Sequence, residues 1–342
     1  MEKPRNTLNR REFLTTALVA GGAVGVSTLG TPALVLAKSN VRIGYLPILD
    51  HLVPLVSHAR DDATFKKIHI EPKLFKSWST VAGALKAGVI DGACLLSNFA
   101  MALFDEGLAI NSILIAHRHG SGITVKKDAP IYTPQDLKGR KIAVPAMVSP
   151  HTVLLDAYLR TGGVSLQDIE VKVIAPSNMV KALERDRIEA FIVAEPFCAK
   201  AEAEGAGRTL ILSKEIVNHH ICCTVVVKQE VLNANPEGIQ EWVSSMIASG
   251  AFIERDKVQN GAKNIAQIVA NYMPHSTQVV VNALLHPNDR ITYGDLNPRI
   301  SDYQAILDLS LRTGILHDID LQAFVDNKFF QAIAGTAGAI CS

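Results

Sequence analysis

From residue 41 onward the chain alternates short apolar strands with helices, and it repeats one phrase at matching points of two such runs. Residues 84–95 read Ala-Leu-Lys-Ala-Gly-Val-Ile-Asp-Gly-Ala-Cys-Leu, and residues 182–193 read Ala-Leu-Glu-Arg-Asp-Arg-Ile-Glu-Ala-Phe-Ile-Val. Each places Ala-Leu at the end of a helix, an isoleucine and an acid six and seven positions later, and then a small or apolar strand. Alternation at this spacing specifies a mostly parallel α/β sheet, and the repeat predicts two similarly built lobes.

In the first run, Val41–Leu46 is an alternating strand ended by Pro47,. Asp50 is expected to cap a helix carrying Leu52, Leu55, Val56 and Ala59,. A strand at 68–71, a helix over Val81–Ala87 capped by Thr80 and stopped by Gly88, a strand at 91–96 and a helix at 98–106 follow,. The second run starts at the turn 136–141, which feeds strand 142–144. It continues with a helix at 152–161, strand 171–174, a helix capped by Ser177, strand 191–193 and a helix at 197–204. The β-branched run Ile221–Val227 reads as a strand leading back, and beyond Lys228 the pattern is mostly helical. A late helical block returning to the first lobe requires two crossings, expected near 124–134 and 222–230. Clefts between such lobes, at strand C-termini, are where α/β proteins hold small ligands.

Ahead of the first strand, Arg10-Arg11-Glu12-Phe13-Leu14 precedes a weakly apolar run from Ala17 to Ala37. That is the layout of a twin-arginine export signal, with Val35-Leu36-Ala37 fitting its cleavage site. Gly21, Gly22, Gly25, Gly30 and Pro32 make the run weaker than a membrane anchor,. We therefore expect residues 1–37 to be a signal peptide, the translocase of that pathway to be a partner during export, and the mature chain to be periplasmic. The whole chain carries a net charge of +1, and Lys3, Arg5, Arg10 and Arg11 belong to the signal. The remainder is nearly neutral, which gives no electrostatic footprint for nucleic acid or an anionic membrane.

The five cysteines, Cys94, Cys198, Cys222, Cys223 and Cys341, match neither a disulfide framework nor a Cys-x-x-Cys knuckle, so buried thiols are the default reading,. The eleven histidines are unevenly spread: His51, His117, His119, His151, His219 and His220 fall in or beside loops expected to line the cleft,.

Five segments in order resemble one family. Gly44-Tyr45-Leu46-Pro47 with Asp50 and Pro54-Leu55 is similar to the start of the nitrate-, bicarbonate- and sulfonate-binding proteins of ABC importers. So are Trp78 between two serines and the stretch Gly88-Val89-Ile90-Asp91-Gly92-Ala93. The run Asp136-Leu137-Lys138-Gly139-Arg140-Lys141-Ile142-Ala143-Val144-Pro145 matches as well, as does Ile188-Glu189-Ala190-Phe191 with Glu195-Pro196-Phe197. The resemblance covers residues 41 to about 227 and implies a type II periplasmic-binding-protein clamp, each lobe a mixed, mostly parallel sheet flanked by helices. On that reading lobe 1 comprises 38–128 plus 229–342 and lobe 2 comprises 129–228. It also implies a small-molecule ligand, an ABC permease in the inner membrane as partner, no cofactor and no chemical step.

The family places a tryptophan at its ligand, which maps to Trp78; a core aromatic is the competing reading. Ser79 and Thr80, and His151 and Thr152, sit at helix starts, where free N–H groups favour anions, and the family's anion-facing histidine maps onto His151. Two departures from the nitrate-type pattern stand out. Ser121 follows the matching Gly120 where that pattern has glutamine, and His219 and His220 stand nearest to where it has lysine. A fixed positive charge is thus replaced by groups that titrate near neutral pH. Glu195 either meets a ligand amine or braces the hinge. Asp50, His51, Ser97 and His119 complete the candidate ligand set, and Trp78, Ser121, His151 and His220 are expected to face one cleft.

The leading expectation is a periplasmic solute-binding component of an ABC importer taking a small anion or small polar organic solute of nitrate, bicarbonate, cyanate or sulfonate type. One alternative is a transition-metal receptor in which His51, His119, His151 and His219 or His220 converge. Another is an enzyme similar to the thiamine-pyrimidine synthase of the same fold, of which Cys222-Cys223 is a faint echo.

Overall fold

The computed structural model describes residues 38–333; the proposed signal peptide and Cys341 lie outside them. Strands β1 (Ser39–Tyr45), β2 (Ile68–Leu74), β3 (Gly92–Leu96) and β4 (Ile110–Ile115) are built first. The chain then passes through the short β5 (Arg118–His119) into β6 (Ser121–Lys126), β7 (Lys141–Val144), β8 (Glu170–Val173), β9 (Ala190–Ala194) and β10 (Gly207–Leu212). It returns as β11 (Cys223–Lys228), and β12 (Ile291–Thr292) pairs with β5. One sheet has the order β2-β1-β3-β11-β4 and the other β8-β7-β9-β6-β10.

The two sheets are the same design. In each, three parallel strands lie beside one antiparallel strand contributed by the chain as it enters from the other sheet, β11 in the first and β6 in the second. The crossovers are residues 116–120 and 213–222. The expected lobe boundaries, 38–128 plus 229–342 and 129–228, put β6 and β11 each with the wrong sheet. Each carries a short β-branched run, Ile123-Thr124-Val125 in β6 and Thr224-Val225-Val226-Val227 in β11, and nothing in such a run states which neighbour it pairs with.

The sequence repeat acquires a physical reason here. Its acids, Asp91 and Glu189, immediately precede equivalent strands, β3 and β9, and each holds the backbone of the neighbouring parallel strand, β1 or β7. Asp91 accepts from the Arg42 amide at 2.8 Å and from its guanidinium at 2.8 and 2.7 Å. Glu189 accepts from the Lys141 amide at 2.8 Å and from Arg140 at 2.9 Å.

Helices α1 (Leu52–Asp61), α2 (Trp78–Lys86), α3 (Ser97–Asp105), α4 (Pro150–Thr161), α5 (Pro176–Glu184) and α6 (Phe197–Ala203) cover the sheets. Two caps differ from expectation. Ser77, not Thr80, caps α2 by accepting from the Thr80 amide at 3.3 Å. Asp50 does not cap α1, whose N-terminus has no side-chain cap; its carboxylate turns inward instead. Strands β4, β6 and β10 are absent from the sequence reading; β4 and β10 form the outer edge beside β11 and β6. After β11 the long helix Pro236–Asn260 packs on α1 and returns the chain to the first sheet's side, with Ser57 and Ser245 hydroxyls 2.7 Å apart. No helix among the described residues is long and apolar enough to cross a membrane.

One apolar core runs under the first sheet and continues into the second through Phe191, Val193, Phe197 and Ala199. A smaller one lies beneath α4, around Ile123, Ile142, Leu154 and Ile192. The crossovers lie against the C-terminal ends of β1 and β9. There the Glu195 amide donates to the Gly120 carbonyl, and the Leu49 amide to the Glu195 carbonyl, both at 2.8 Å.

Candidate functional site

Around the crossovers the sequence places polar side chains on the ends of otherwise apolar strands, and folding carries them inside. Asp50 and His51 lie in the turn after β1, His117 in the first crossover, Cys222 and Cys223 at the entry to β11, and His151 in the first turn of α4. All six are fully buried. Burying so many titratable groups is costly unless they satisfy one another, so their partners carry the chemistry.

Asp50 and His117 form an ion pair, Oδ2 to Nε2 at 3.0 Å. Burial pushes the Asp50 carboxyl up to about 6, and His117 stops it from going higher. Burial presses His117 the other way, but the Asp50 charge prevails and raises it to about 10. Both groups are therefore charged at pH 7. His117 Nε2 also lies 3.2 Å from the Cys223 amide, so one nitrogen faces both a carboxylate and a donor. Asp50 Oδ1 and His117 Nδ1 have no hydrogen-bond partner among the described residues.

His51, His119 and His220 are neutral. Burial, and then the His117 charge, takes His51 down to about 3; the Leu46 amide donates to its Nδ1 at 2.9 Å and its Nε2 is unpartnered. Burial lowers His220 to about 4 and, with His219 and His117, His119 to about 4. His220 Nδ1 lies 3.2 Å from the Ile221 carbonyl, an acceptor only, so Nδ1 carries the proton and the buried, unpartnered Nε2 is a bare lone pair,. His220 therefore cannot serve as an imidazolium for an anion at neutral pH.

His151 comes from the second sheet's side. Its Nε2 is 3.0 Å from the Ser121 hydroxyl and 4.0 Å from Cys222 Sγ. For Cys222, burial opposes ionisation, but the Cys223 thiol and the His151 and His117 rings outweigh it and bring its pKa well below the usual thiol value. Burial and the neighbouring Cys222 hold Cys223 protonated, its pKa well above the usual value. A thiolate beside an imidazole resembles a nucleophile–base pair, but 4.0 Å is long and both groups are sealed from solvent. The atoms that one carboxylate, one imidazole and two thiols can offer a metal, from Asp50, His117, Cys222 and Cys223, lie within 4.8 Å of one another.

The remaining sequence candidates divide. Gly120 ends the crossover and Ser121 opens β6; at Gly120 φ is +84°, and a Cβ there would lie 3.1 Å from Asp50 Oδ1. The Ser97 amide donates to the Cys222 carbonyl at 2.8 Å, and its buried hydroxyl is unpartnered. The His119 ring is 5.6 Å from that of His220 and 6.0 Å from that of the exposed His219. Thr152 is spent locally: its hydroxyl donates to the Ala146 carbonyl at 2.9 Å, and its amide donates to the capping Ser149 hydroxyl at 3.2 Å. Glu195 is buried against Arg290 at 3.2 Å and accepts from the Ala199 amide at 3.1 Å. Burial pushes its carboxyl up to about 7 despite Arg290. Ser79 is exposed, and its hydroxyl lies 3.0 Å from that of Ser77. Trp78 is buried in the core with its indole N–H unpartnered, and no hydrogen bond, ion pair or ring contact joins it to the histidines among the described residues.

Cys222, Cys223 and Arg290 are absent from the sequence-derived set, and the sequence reading names His117 only among the histidines expected to line the cleft, not as a ligand. The pairing of Cys222-Cys223 with His219-His220 was visible as a motif, but only the fold brings Asp50 against it. The metal alternative named His51, His119, His151 and His219 or His220; the set that converges instead is one histidine, one aspartate and two cysteines.

Known proteins place this arrangement in context. A model of the NMT1-like family matches residues 36–270. The bicarbonate transport ATP-binding protein CmpC of Synechocystis is 27% identical over 238 residues, 64% of this chain but only 35% of its own length. The nitrate/nitrite binding protein NrtA of Nostoc is 24% identical over 282 residues, 74% of this chain and 62% of its own length. The chain thus spans about a third to somewhat under two thirds of these relatives. Among solved structures, a ligand-binding component of an ABC-type import system from Staphylococcus aureus, solved with zinc bound, superposes with a TM-score of 0.78 at 25% identity. That match covers 86% of this chain and 98% of the other.

Proposed function

Because the chain belongs to the NMT1-like family, we propose that it is the periplasmic solute-binding component of an ABC importer, capturing a small solute by closure of two lobes without a chemical step. The lobes in this reading are 38–115 with 223–333, and 121–212. The twin-arginine signal delivers the folded protein to the periplasm, and an inner-membrane permease receives the closed form. The observation that carries the reading is the origin of the buried cluster. Asp50 and His51 come from the first sheet, Ser121 and His151 from the second, and His117 and Cys222 from the two crossovers. A binding protein needs donors from both sides, because its ligand must favour the closed state over the open one. Relatives named for nitrate and bicarbonate support a small solute.

Small-angle scattering of the purified protein against a panel of small inorganic and organic solutes tests this. A bound solute should contract the particle, and His151→Ala should weaken calorimetric affinity at least tenfold, about 1.4 kcal/mol, while the fold survives. A panel in which every solute leaves the radius of gyration unchanged would count against capture by closure.

A further inference from the structure

We propose that the solute of this cleft is a thiophilic divalent cation of the zinc class, held by Asp50, His117, Cys222 and Cys223. The inference rests on the capture reading above and names its substrate class. The four residues are fully buried, and their ligand atoms lie within 4.8 Å of one another. A four-coordinate ion with bonds of ~2.0–2.3 Å sets its ligand atoms roughly 3.3–3.8 Å apart. Cys223 Sγ to Asp50 Oδ2 is already 3.7 Å, and His117 Nε2 to the same oxygen is 3.0 Å. The widest pair needs to close by about 1 Å, the scale of a side-chain adjustment.

The unpaired atoms point to the same occupant. Asp50 Oδ1 and His117 Nδ1 are buried without partners, and each such atom is unfavourable by itself. A cation would draw on the carboxylate and fix the imidazole in one tautomer, resolving the conflict at His117 Nε2. The donor types select the metal. Two sulfurs with one nitrogen and one oxygen disfavour magnesium and calcium, which take oxygen, and suit a borderline-soft ion of tetrahedral preference. His151 adds the coupling to closure: it approaches Cys222 Sγ at 4.0 Å from the second sheet's side and is tied there through Ser121. A metal that organises Cys222 would therefore favour the arrangement in which His151 is docked.

The test uses the exported chain, stripped with a chelator under reductant and titrated with Co²⁺. One equivalent should give the intense visible bands of tetrahedral Co²⁺ and a thiolate-to-cobalt charge-transfer band, both lost on adding Zn²⁺. Cys222→Ser with Cys223→Ser should abolish the charge-transfer band, and Asp50→Asn should weaken Co²⁺ affinity at least tenfold while keeping that band. Wild-type protein without the band at stoichiometric Co²⁺, or a double serine variant that keeps it, overturns the inference. Scattering on the same samples separates this inference from the capture reading. Contraction by nitrate, bicarbonate or a sulfonate without a cobalt band overturns the metal and leaves capture standing. A cobalt band with no contraction keeps the metal site and overturns capture by closure.

Discussion

Replacing Arg290 with leucine should destabilise the protein in a strongly pH-dependent way. Arg290 faces Glu195 at 3.2 Å, with the carboxylate fully buried and the guanidinium 5% exposed. Removing one partner of a buried pair leaves the other uncompensated, at a cost of about 3–5 kcal/mol. That cost applies only where Glu195 is ionised. Its carboxyl is raised from 4.5 to about 7 by burial, with Arg290 acting against that rise, so the folded state binds more protons than the unfolded state between these values. Glu195 therefore contributes stability that is fully present below about 4.5 and is lost as pH rises through about 7. Without Arg290 its pKa climbs further, and the deficit of the variant grows with pH. At pH 5, with Glu195 neutral, we expect a loss of about 1–2 kcal/mol from packing and hydrogen bonds. At pH 8, about one unit above the wild-type Glu195 value, the variant's carboxyl escapes the full cost by staying protonated, so the pH-dependent part adds at most ~1.4 kcal/mol, for a total of about 2–3 kcal/mol,. Adding Glu195→Gln should recover most of that part, because no charge is left buried. Urea unfolding of the wild type, Arg290→Leu and the double variant at both pH values measures this. Equal deficits at pH 5 and pH 8, or a double variant no more stable than the single one at pH 8, would refute the reasoning.

Two further outcomes follow from the backbone and the repeat. Gly120→Ala should lower stability by about 1–3 kcal/mol, through its left-handed conformation and a Cβ 2.7 Å from Ile291 Cδ1,; unchanged thermal unfolding would show that the crossover relaxes freely. Asp91→Ala should cost about 2–3 kcal/mol and Glu189→Ala about 1 kcal/mol. They perform one role, but their side chains are 15% and 34% exposed; denaturant titrations giving Glu189→Ala the larger loss would contradict the shared-role account.

Much of the architecture is local and so was legible in the sequence. The alternation of strand and helix, the repeat at residues 84 and 182, and the Gly88 helix stop act over a few residues, and they led to two similar lobes. Asp91 and Glu189 show why that phrase repeats: each ties a strand to its parallel neighbour by the same hydrogen bonds. Sheet membership of β6 and β11 was not legible, because pairing partners are chosen across the whole chain and a β-branched run fits either sheet. The same limit governs the site. Asp50 looked like a helix cap because capping is decided within three residues, and Cys222 and Cys223 looked like inert core thiols because their neighbours are apolar. Only the tertiary fold brings residue 50 against residue 117 and residue 223, and residue 151 against residue 222. Burial then decides which histidines carry charge: His117 keeps its proton because Asp50 is 3.0 Å away, while His51, His119 and His220 lose theirs for want of such a partner. Sequence supplied the residue types; distance and dielectric, which exist only in the folded chain, turned them into a site.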